Sequence, residues 1–344
     1  MTPPSTIAWD TRWEVVSGIG RFSREVRGRL GIPPIAAGDA APASLRGLLD
    51  LELASVRERR RPTPRALVCP GFMAPLSWPA PTAVVIHDLM HRDVPGEAGR
   101  ARRAYLDTVV LRSVRSAAVV LTVSDHSRSR ILRWAGLPPE RVVTVGNGVS
   151  STFSPDGPCR QEPKDYLLYV GNHKPHKNLP RMLEAFARGT DDTLLLFSGD
   201  PAPRVRALAE DVGVLDRIGF LGRLDDIGLA QAYRGAAAVL VLSTHEGFGL
   251  PALEAMACGT PVVTSSTTSL PEVVGDAGLY ADPHDVEAMA TAMATVLTDQ
   301  VRAGELALAG PARSAAWTWE RVAERTAAAL THHLGVQVTA GLRG

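Results

Sequence analysis

Val239-Leu240-Val241-Leu242-Ser243-Thr244-His245-Glu246-Gly247-Phe248-Gly249-Leu250-Pro251 runs from an unbroken apolar stretch, through a loop with two glycines, to a proline suited to the first turn of a helix. Four consecutive apolar residues, with no polar alternation, read as a strand buried on both faces, as in a parallel sheet. Gly247 and Gly249 free the backbone for unusual dihedrals, Pro251 suits the helix start, and Gly259 and Pro261 stop the helix. The stretch is therefore one strand–loop–helix unit.

The same alternation extends in both directions. Apolar runs at 66–69, 83–87, 119–123, 142–145, 166–170, 194–197 and 262–264 are separated by amphipathic stretches at 102–115, 179–188, 203–212 and 286–297. Repeated strand–helix units imply an α/β protein with doubly wound parallel sheets and ligands outside the carboxyl ends of the strands. A chain of 344 residues exceeds what one core usually organises, about 100–200 residues per domain, so two domains are expected. Residues 146–163, with Pro155, Pro158 and Pro163, read as the interdomain linker, with a boundary near residue 160.

Composition excludes several function classes. A formal net charge of +1 gives no global field for nucleic acid or an anionic membrane. Cys69, Cys159 and Cys258 form neither a disulfide framework nor a C-x-x-C metal site, which fits a reducing cytoplasm. Residues 1–13 lack the pattern of an export signal, and no apolar run is long enough to span a membrane.

The loop at 246–250 entering a helix presents unpaired N–H groups and a positive dipole end, a natural seat for a diphosphate. Glu246 on the loop and Glu254 in the helix would repel the diphosphate itself, so each is expected to accept hydrogen bonds from flanking hydroxyls, of a sugar or of a ribose. Alternatively, Glu254 merely complements the helix dipole. A second ligand loop is expected after the strand at 166–170, at Gly171-Asn172-His173-Lys174-Pro175-His176-Lys177-Asn178. The chain has three lysines among its 37 basic residues, and two of them, Lys174 and Lys177, lie here. A lysine is a compact charge suited to a phosphate.

In the amino-terminal half, Ser17-Gly18-Ile19-Gly20-Arg21-Phe22 opens a helix but makes a poor dinucleotide fingerprint, because Ser23 stands at its third glycine position. His87-Asp88-Leu89-Met90-His91 follows an apolar strand. It does not read as a zinc helix, since Asp88 stands where that motif needs a glutamate. Ser124 and Ser127 read as the cap of the helix that ends before Gly136. The run Arg57-Glu58-Arg59-Arg60-Arg61 reads as a solvated helix end, or as an acceptor or membrane contact.

Taken together, these motifs resemble the retaining glycosyltransferases of family four, which have the two-domain GT-B fold and an E-x7-E signature. Glu246 and Glu254 have that spacing, and the stretch Thr264-Ser265-Ser266-Thr267-Thr268-Ser269-Leu270-Pro271-Glu272-Val273-Val274-Gly275-Asp276-Ala277-Gly278 is similar to the family's sequel. The resemblance implies two facing Rossmann-like domains: 1–158 for the acceptor, 159–318 for the nucleotide sugar, and a helix in 319–344 crossing back to the first. It implies that Glu246 contacts the transferred sugar, that Glu254 binds the ribose, and that Gly247, Phe248, Gly249 and Leu250 bind sugar and diphosphate through backbone amides. Lys177 matches the family's phosphate-binding lysine. The arginine often found after Gly171 is Asn172 here, leaving His173, Lys174 or His176 to supply that charge. Gly18 and Gly20 resemble the family's first loop, and His87 its histidine near the transferred sugar.

The expected activity is retaining, metal-independent transfer from a nucleotide diphosphate sugar to a hydroxyl acceptor, with no cofactor. GDP-mannose is favoured slightly over UDP- or dTDP-sugars, because residues 170–179 look like those of mannosyltransferases in the family. No D-x-D metal signature occurs in the chain. No nucleic-acid partner is expected, and membrane contact, if any, would be peripheral. The rival readings are a glycosidase using Glu246 and Glu254, a sugar-nucleotide epimerase, and a nucleotide-sugar-binding module without catalysis.

Overall fold

The computed structural model describes residues 6–341 apart from 16, 36, 39, 41 and 43, and the side chain of Leu45 is also outside the description. The reading that residues 1–13 carry no export signal falls partly on residues 1–5, outside the described residues.

The chain forms two compact units, one of residues 1–148 with 319–344 and the other of residues 149–318. In the first unit, β1 (Ile7–Trp9), β2 (Ala66–Cys69), β3 (Thr82–Val85), β4 (Val119–Thr122) and β5 (Val142–Thr144) form a parallel sheet in that order. β1 to β4 are buried throughout, as unbroken apolar runs require. The helix Gly18–Leu30 is capped by the Ser17 hydroxyl, which accepts from Gly20 N, and ends at Gly31 with φ 61°. Its inward face, Phe22, Val26 and Leu30, repeats every four residues.

The closing helix Trp319–Leu334 belongs to this unit and packs on Gly18–Leu30. The rings of Phe22 and Trp319 lie 6.4 Å apart, and Arg29 pairs with Glu320 at 2.8 Å. Ser124 caps Asp125–Ala135 by accepting from Ser127 N, and Gly136 ends that helix in the left-handed region. The stretch expected to be one helix at 102–115 is instead Arg100–Tyr105, a π-helical turn Leu106–Val110, and Leu111–Ser116. Such a turn inserts an extra residue that periodicity alone does not reveal.

In the second unit, β6 (Tyr166–Val170), β7 (Leu194–Ser198), β8 (Ile218–Phe220), β9 (Ala238–Val241), β10 (Val262–Ser265) and β11 (Leu279–Ala281) form a parallel sheet ordered β11-β10-β9-β6-β7-β8. The chain builds outward from β6 on one side and from β9 on the other. Their neighbouring carboxyl ends therefore form a topological switch point, where the following loops diverge and leave a crevice. The core behind it joins Leu167, Phe186, Phe197, Leu240, Val263 and Met293.

The units divide at Gly148 and Val149, earlier than the boundary near residue 160 read from the prolines and than the 158/159 division implied by the resemblance. The proline segment is pinned to the helix Asp226–Gly235 of the second unit. Arg234 donates to the carbonyls of Ser154 (3.1 Å) and Pro158 (2.9 Å), Arg160 N donates to Gln231 O (2.9 Å), and Phe153 packs against Tyr233.

Candidate active site

The loops after β6 and β9 meet at the switch point. Lys177 ends a short 3-10 turn (Pro175–Lys177) in the first loop, and its Nζ donates to Glu246 Oε1 in the second at 2.6 Å. The same carboxylate oxygen accepts from Ser243 Oγ at 2.7 Å. Both ends of the ion pair are mostly buried, with side chains 12% exposed. Burial pushes the Glu246 carboxyl up, but the charge and hydrogen bond of Lys177, then Ser243 and His176, outweigh it and leave the group below its ordinary value.

The Glu246 backbone is also held: its N donates to Thr268 Oγ1 at 3.1 Å, and its O accepts from Ser269 Oγ at 2.9 Å. The first loop is anchored through Asn178, whose Nδ2 donates to Leu242 O (3.1 Å) and Pro283 O (2.6 Å), and through His176 O, which accepts from Thr244 N at 2.8 Å. Lys177 and Glu246 thus sit on loops stitched to each other.

Gly249 precedes the helix Leu250–Ala257 with φ 104°, and a Cβ there would lie 2.6 Å from Leu270 Cδ2. Only glycine makes that turn without strain. Gly247, Phe248 and Gly249 are buried, Leu250 is half-buried, and Phe248 packs edge-on against Trp317. Glu254 lies inside the helix, 5% exposed, and accepts from the Tyr233 hydroxyl at 2.9 Å. A carboxylate held by a buried hydroxyl is specifically oriented, which helix-dipole complementation alone would not require.

The three candidates for the missing arginine have different environments. His173 is half-buried beside the rings of Tyr169 and Phe197, and burial, then Arg204, lowers its pKa. His176 is 3% exposed, whereas Lys174 lies exposed at the surface of the loop. Asn172, also exposed, accepts from Lys174 N through its side chain at 3.2 Å, and its carbonyl accepts from the Tyr169 hydroxyl.

The remaining sequence-predicted residues lie in the first unit. Gly18 is exposed at the start of its helix. Gly20 is buried, and a Cβ there would lie 1.8 Å from Val15 O, so this glycine is required by its own loop. His87, just beyond β3, is 8% exposed, with the Phe22 ring edge-on at 5.2 Å and Ser127 Oγ donating to its carbonyl at 2.9 Å. Its Nε2–H donates to Pro70 O at 3.2 Å. Burial lowers the imidazole pKa from 6.5 to about 4, against the raising effects of Asp88 and the Pro70 carbonyl, so His87 is neutral near pH 7. A pocket of about 360 Å³ in the same unit is lined by Trp13, Phe72, Met73, Tyr105 and Leu106, with Arg102 and His91 also on its wall.

Sequence reasoning missed Ser243, Thr268, Ser269, Tyr233 and Asn178 as supports of the site. Ser243, three residues before Glu246, was within reach of a local reading, whereas Tyr233 meets Glu254 only through the packing of two helices. Among the described residues no three His, Cys, Asp or Glu side chains cluster as a metal site would need, and no helix is long and apolar enough to cross a membrane.

The fold is shared with the sucrose-phosphate synthase of Thermosynechococcus elongatus, at a TM-score of 0.76 and 20% identity over 94% of this chain and 97% of that one. Residues 62–153 match the family model Glycosyltransferase Family 4, and residues 154–311 match Glycosyl transferases group 1. The chain is 36% identical over 261 residues to the O-antigen chain mannosyltransferase B of Escherichia coli, covering 70% of this chain and 67% of the relative. It spans only 28% of a serotype-specific mannosyltransferase WbdA of Escherichia coli, to which it is 27% identical over 226 residues. Two parallel-sheet, Rossmann-like units with these matches define a glycosyltransferase of the GT-B type. The chain belongs to glycosyltransferase family four.

Proposed function

We propose that the protein transfers a hexose from a nucleotide diphosphate sugar to a hydroxyl acceptor with retention of configuration and without a metal ion or other cofactor. The observation that carries this reading is the Lys177–Glu246 pair at the switch point, beside a glycine-started helix. In the reading, the amides of Gly247, Phe248, Gly249 and Leu250 and the Lys177 ammonium receive the diphosphate, Glu246 accepts from the sugar hydroxyls, and Glu254, oriented by Tyr233, accepts from the ribose. Lys177 then does the charge compensation that a bound cation would otherwise provide.

Retention is inferred from the family likeness, and the environment of the two carboxylates fits a direct same-face displacement better than a covalent glycosyl-enzyme. Glu254 is buried under a tyrosine hydroxyl, and Glu246 is held by Lys177 and Ser243, so neither is presented as a free nucleophile. The anomeric C–O bond to phosphate breaks, the acceptor oxygen bonds to the same face, and the acceptor proton passes to the leaving phosphate oxygen. His87, neutral and already donating from Nε2, suits orienting the sugar rather than giving up a proton. Gly18, Gly20, Asn172, His173 and His176 complete the donor-side set by family likeness, with Lys174 the most solvent-accessible cation of its loop. The acceptor is assigned to the first unit, where the aromatic walls of the 360 Å³ pocket suit a sugar ring or an apolar aglycone.

A mannosyl donor carried by GDP is favoured, because the Escherichia coli relative is called a mannosyltransferase and residues 170–179 look like that subgroup. A cytoplasmic site of action fits three cysteines that are all free thiols. The test is calorimetric titration of GDP, UDP and dTDP in EDTA, followed by assignment of the product's anomeric configuration by NMR. Binding of one nucleotide that Glu254→Ala weakens supports the reading, and an inverted product or a strict metal requirement overturns it.

A further inference from the structure

The backbone around Glu246 is held by hydroxyls from one loop, the segment that leaves β10. Ser265 Oγ donates to Ser243 O at 2.6 Å, Thr268 Oγ1 accepts from Glu246 N at 3.1 Å, and Ser269 Oγ donates to Glu246 O at 2.9 Å. The next residue, Leu270, lies against Gly249, where an added Cβ would meet its Cδ2 at 2.6 Å. Five or six residues thus touch both ends of the 246–249 turn.

Two features of this loop work against stability. Thr268 has φ 60°, in the left-handed region. Of the three non-glycine residues with positive φ among the described residues, Phe72, Asn178 and Thr268, it alone is β-branched, and a second heavy atom on Cβ makes that region costly. Beside it, the Thr267 hydroxyl is buried without a hydrogen-bond partner. Glycine would take the dihedral at 268 freely, so the fold of the loop does not by itself call for threonine there. What the threonine adds is one oriented oxygen. Its hydroxyl proton is committed to Thr267 O at 2.8 Å, which leaves only lone pairs for the Glu246 N–H. Ser269, the residue after the turn, reaches the carbonyl of the same glutamate, so two successive side chains fix both backbone polar groups of Glu246.

We infer that Thr268 is a positioning residue for sugar transfer, whose strained backbone is kept because its hydroxyl fixes the main chain of Glu246 and, through it, the carboxylate that Lys177 and Ser243 hold. The inference rests on the reading of Glu246 as the group that meets the transferred sugar. It separates two quantities that usually move together: the hydroxyl serves transfer, and the dihedral that presents it opposes stability.

The test compares Thr268→Val, Thr268→Gly and Thr268→Ser in the full chain. Three readouts are taken: nucleotide release from GDP-mannose, UDP-glucose and dTDP-glucose with water as acceptor, calorimetric affinity for the matching nucleoside diphosphate, and the urea midpoint. Thr268→Val keeps the branching and loses the oxygen, and kcat should fall at least about tenfold, because a small misplacement of a reacting group costs up to about 10²-fold. Nucleotide affinity should change less than about twofold, since a nucleoside diphosphate carries no sugar for Glu246 to meet. Thr268→Ser keeps both hydrogen bonds and should restore most of kcat. Thr268→Gly, which also lacks the oxygen but relieves the dihedral, should be as slow as Thr268→Val and yet unfold at a higher urea concentration. Wild-type kcat in Thr268→Val, nucleotide affinity that falls in proportion to kcat, or a Thr268→Gly midpoint at or below that of Thr268→Val overturns the inference alone. Full activity of Glu246→Gln, or cleavage of none of the three donors by wild type, overturns the donor reading and the inference with it.

Discussion

Lys177 Nζ and Ser243 Oγ converge on one oxygen of Glu246, Lys177 from 69 residues away along the chain. The lysine therefore stabilises the carboxylate of its own site. Removing it leaves a mostly buried charge uncompensated, at a cost of about 3 kcal/mol. Lys177→Ala is expected to shift the urea midpoint accordingly and to lower kcat/KM for sugar transfer by at least about 10²-fold. The double variant Lys177→Met, Glu246→Gln should regain much of the stability while staying inactive. Equal stability of Lys177→Ala and wild type would refute the coupling.

The same pair predicts a response to acid. The Glu246 carboxyl is held below its ordinary value of 4.5, so its contribution to stability is complete above that value and is lost as pH falls through the lower folded-state value. Wild type should lose stability more steeply than Glu246→Gln below about pH 4.5, read from urea unfolding at stepped pH.

His87 acts at a higher pH with the same sign. Its folded pKa of about 4 lies below the ordinary 6.5, so the unfolded chain takes up a proton first as pH falls. The stability is complete above 6.5 and declines toward about 4, by roughly 3 kcal/mol across that window. His87→Gln, which keeps a donor for the Pro70 carbonyl, should flatten the profile between those values. An unchanged slope would show that the imidazole is not buried as described.

Gly249→Ala combines a positive φ with a contact on Leu270, and about 2–4 kcal/mol of destabilisation is expected. Leu270→Ala would relieve the contact but not the dihedral, so it should rescue only part of the loss in a double-variant cycle.

Tyr233→Phe removes one hydrogen bond from Glu254. Nucleotide affinity should fall about fivefold by calorimetry, against tenfold or more for Glu254→Ala, because the glutamate remains but is less firmly oriented.

What the sequence revealed was what local chemistry decides. The strand before Ser243, the glycine turn and the helix from Leu250 are each dictated by residues within a few positions, and all three are found. β8 and β11 escaped notice because each has three residues on a partly exposed sheet edge, without an apolar run to mark it. The π-helical turn at Leu106–Val110 hid within a continuous helical pattern. In the site, the family motif singled out Glu246, Glu254 and Lys177. The Tyr233–Glu254 bond depends on how one helix lies against another, which no spacing along the chain encodes.

The membership of Trp319–Leu334 in the first unit has a consequence for synthesis. A chain leaving the ribosome can complete its second unit while the first still lacks the helix that covers Phe22 and pairs with Arg29. The half that is translated first is finished last, and a nascent chain stalled before residue 319 would carry a complete Lys177–Glu246 loop pair together with an amino-terminal unit whose apolar flank is uncovered, a natural target for chaperones.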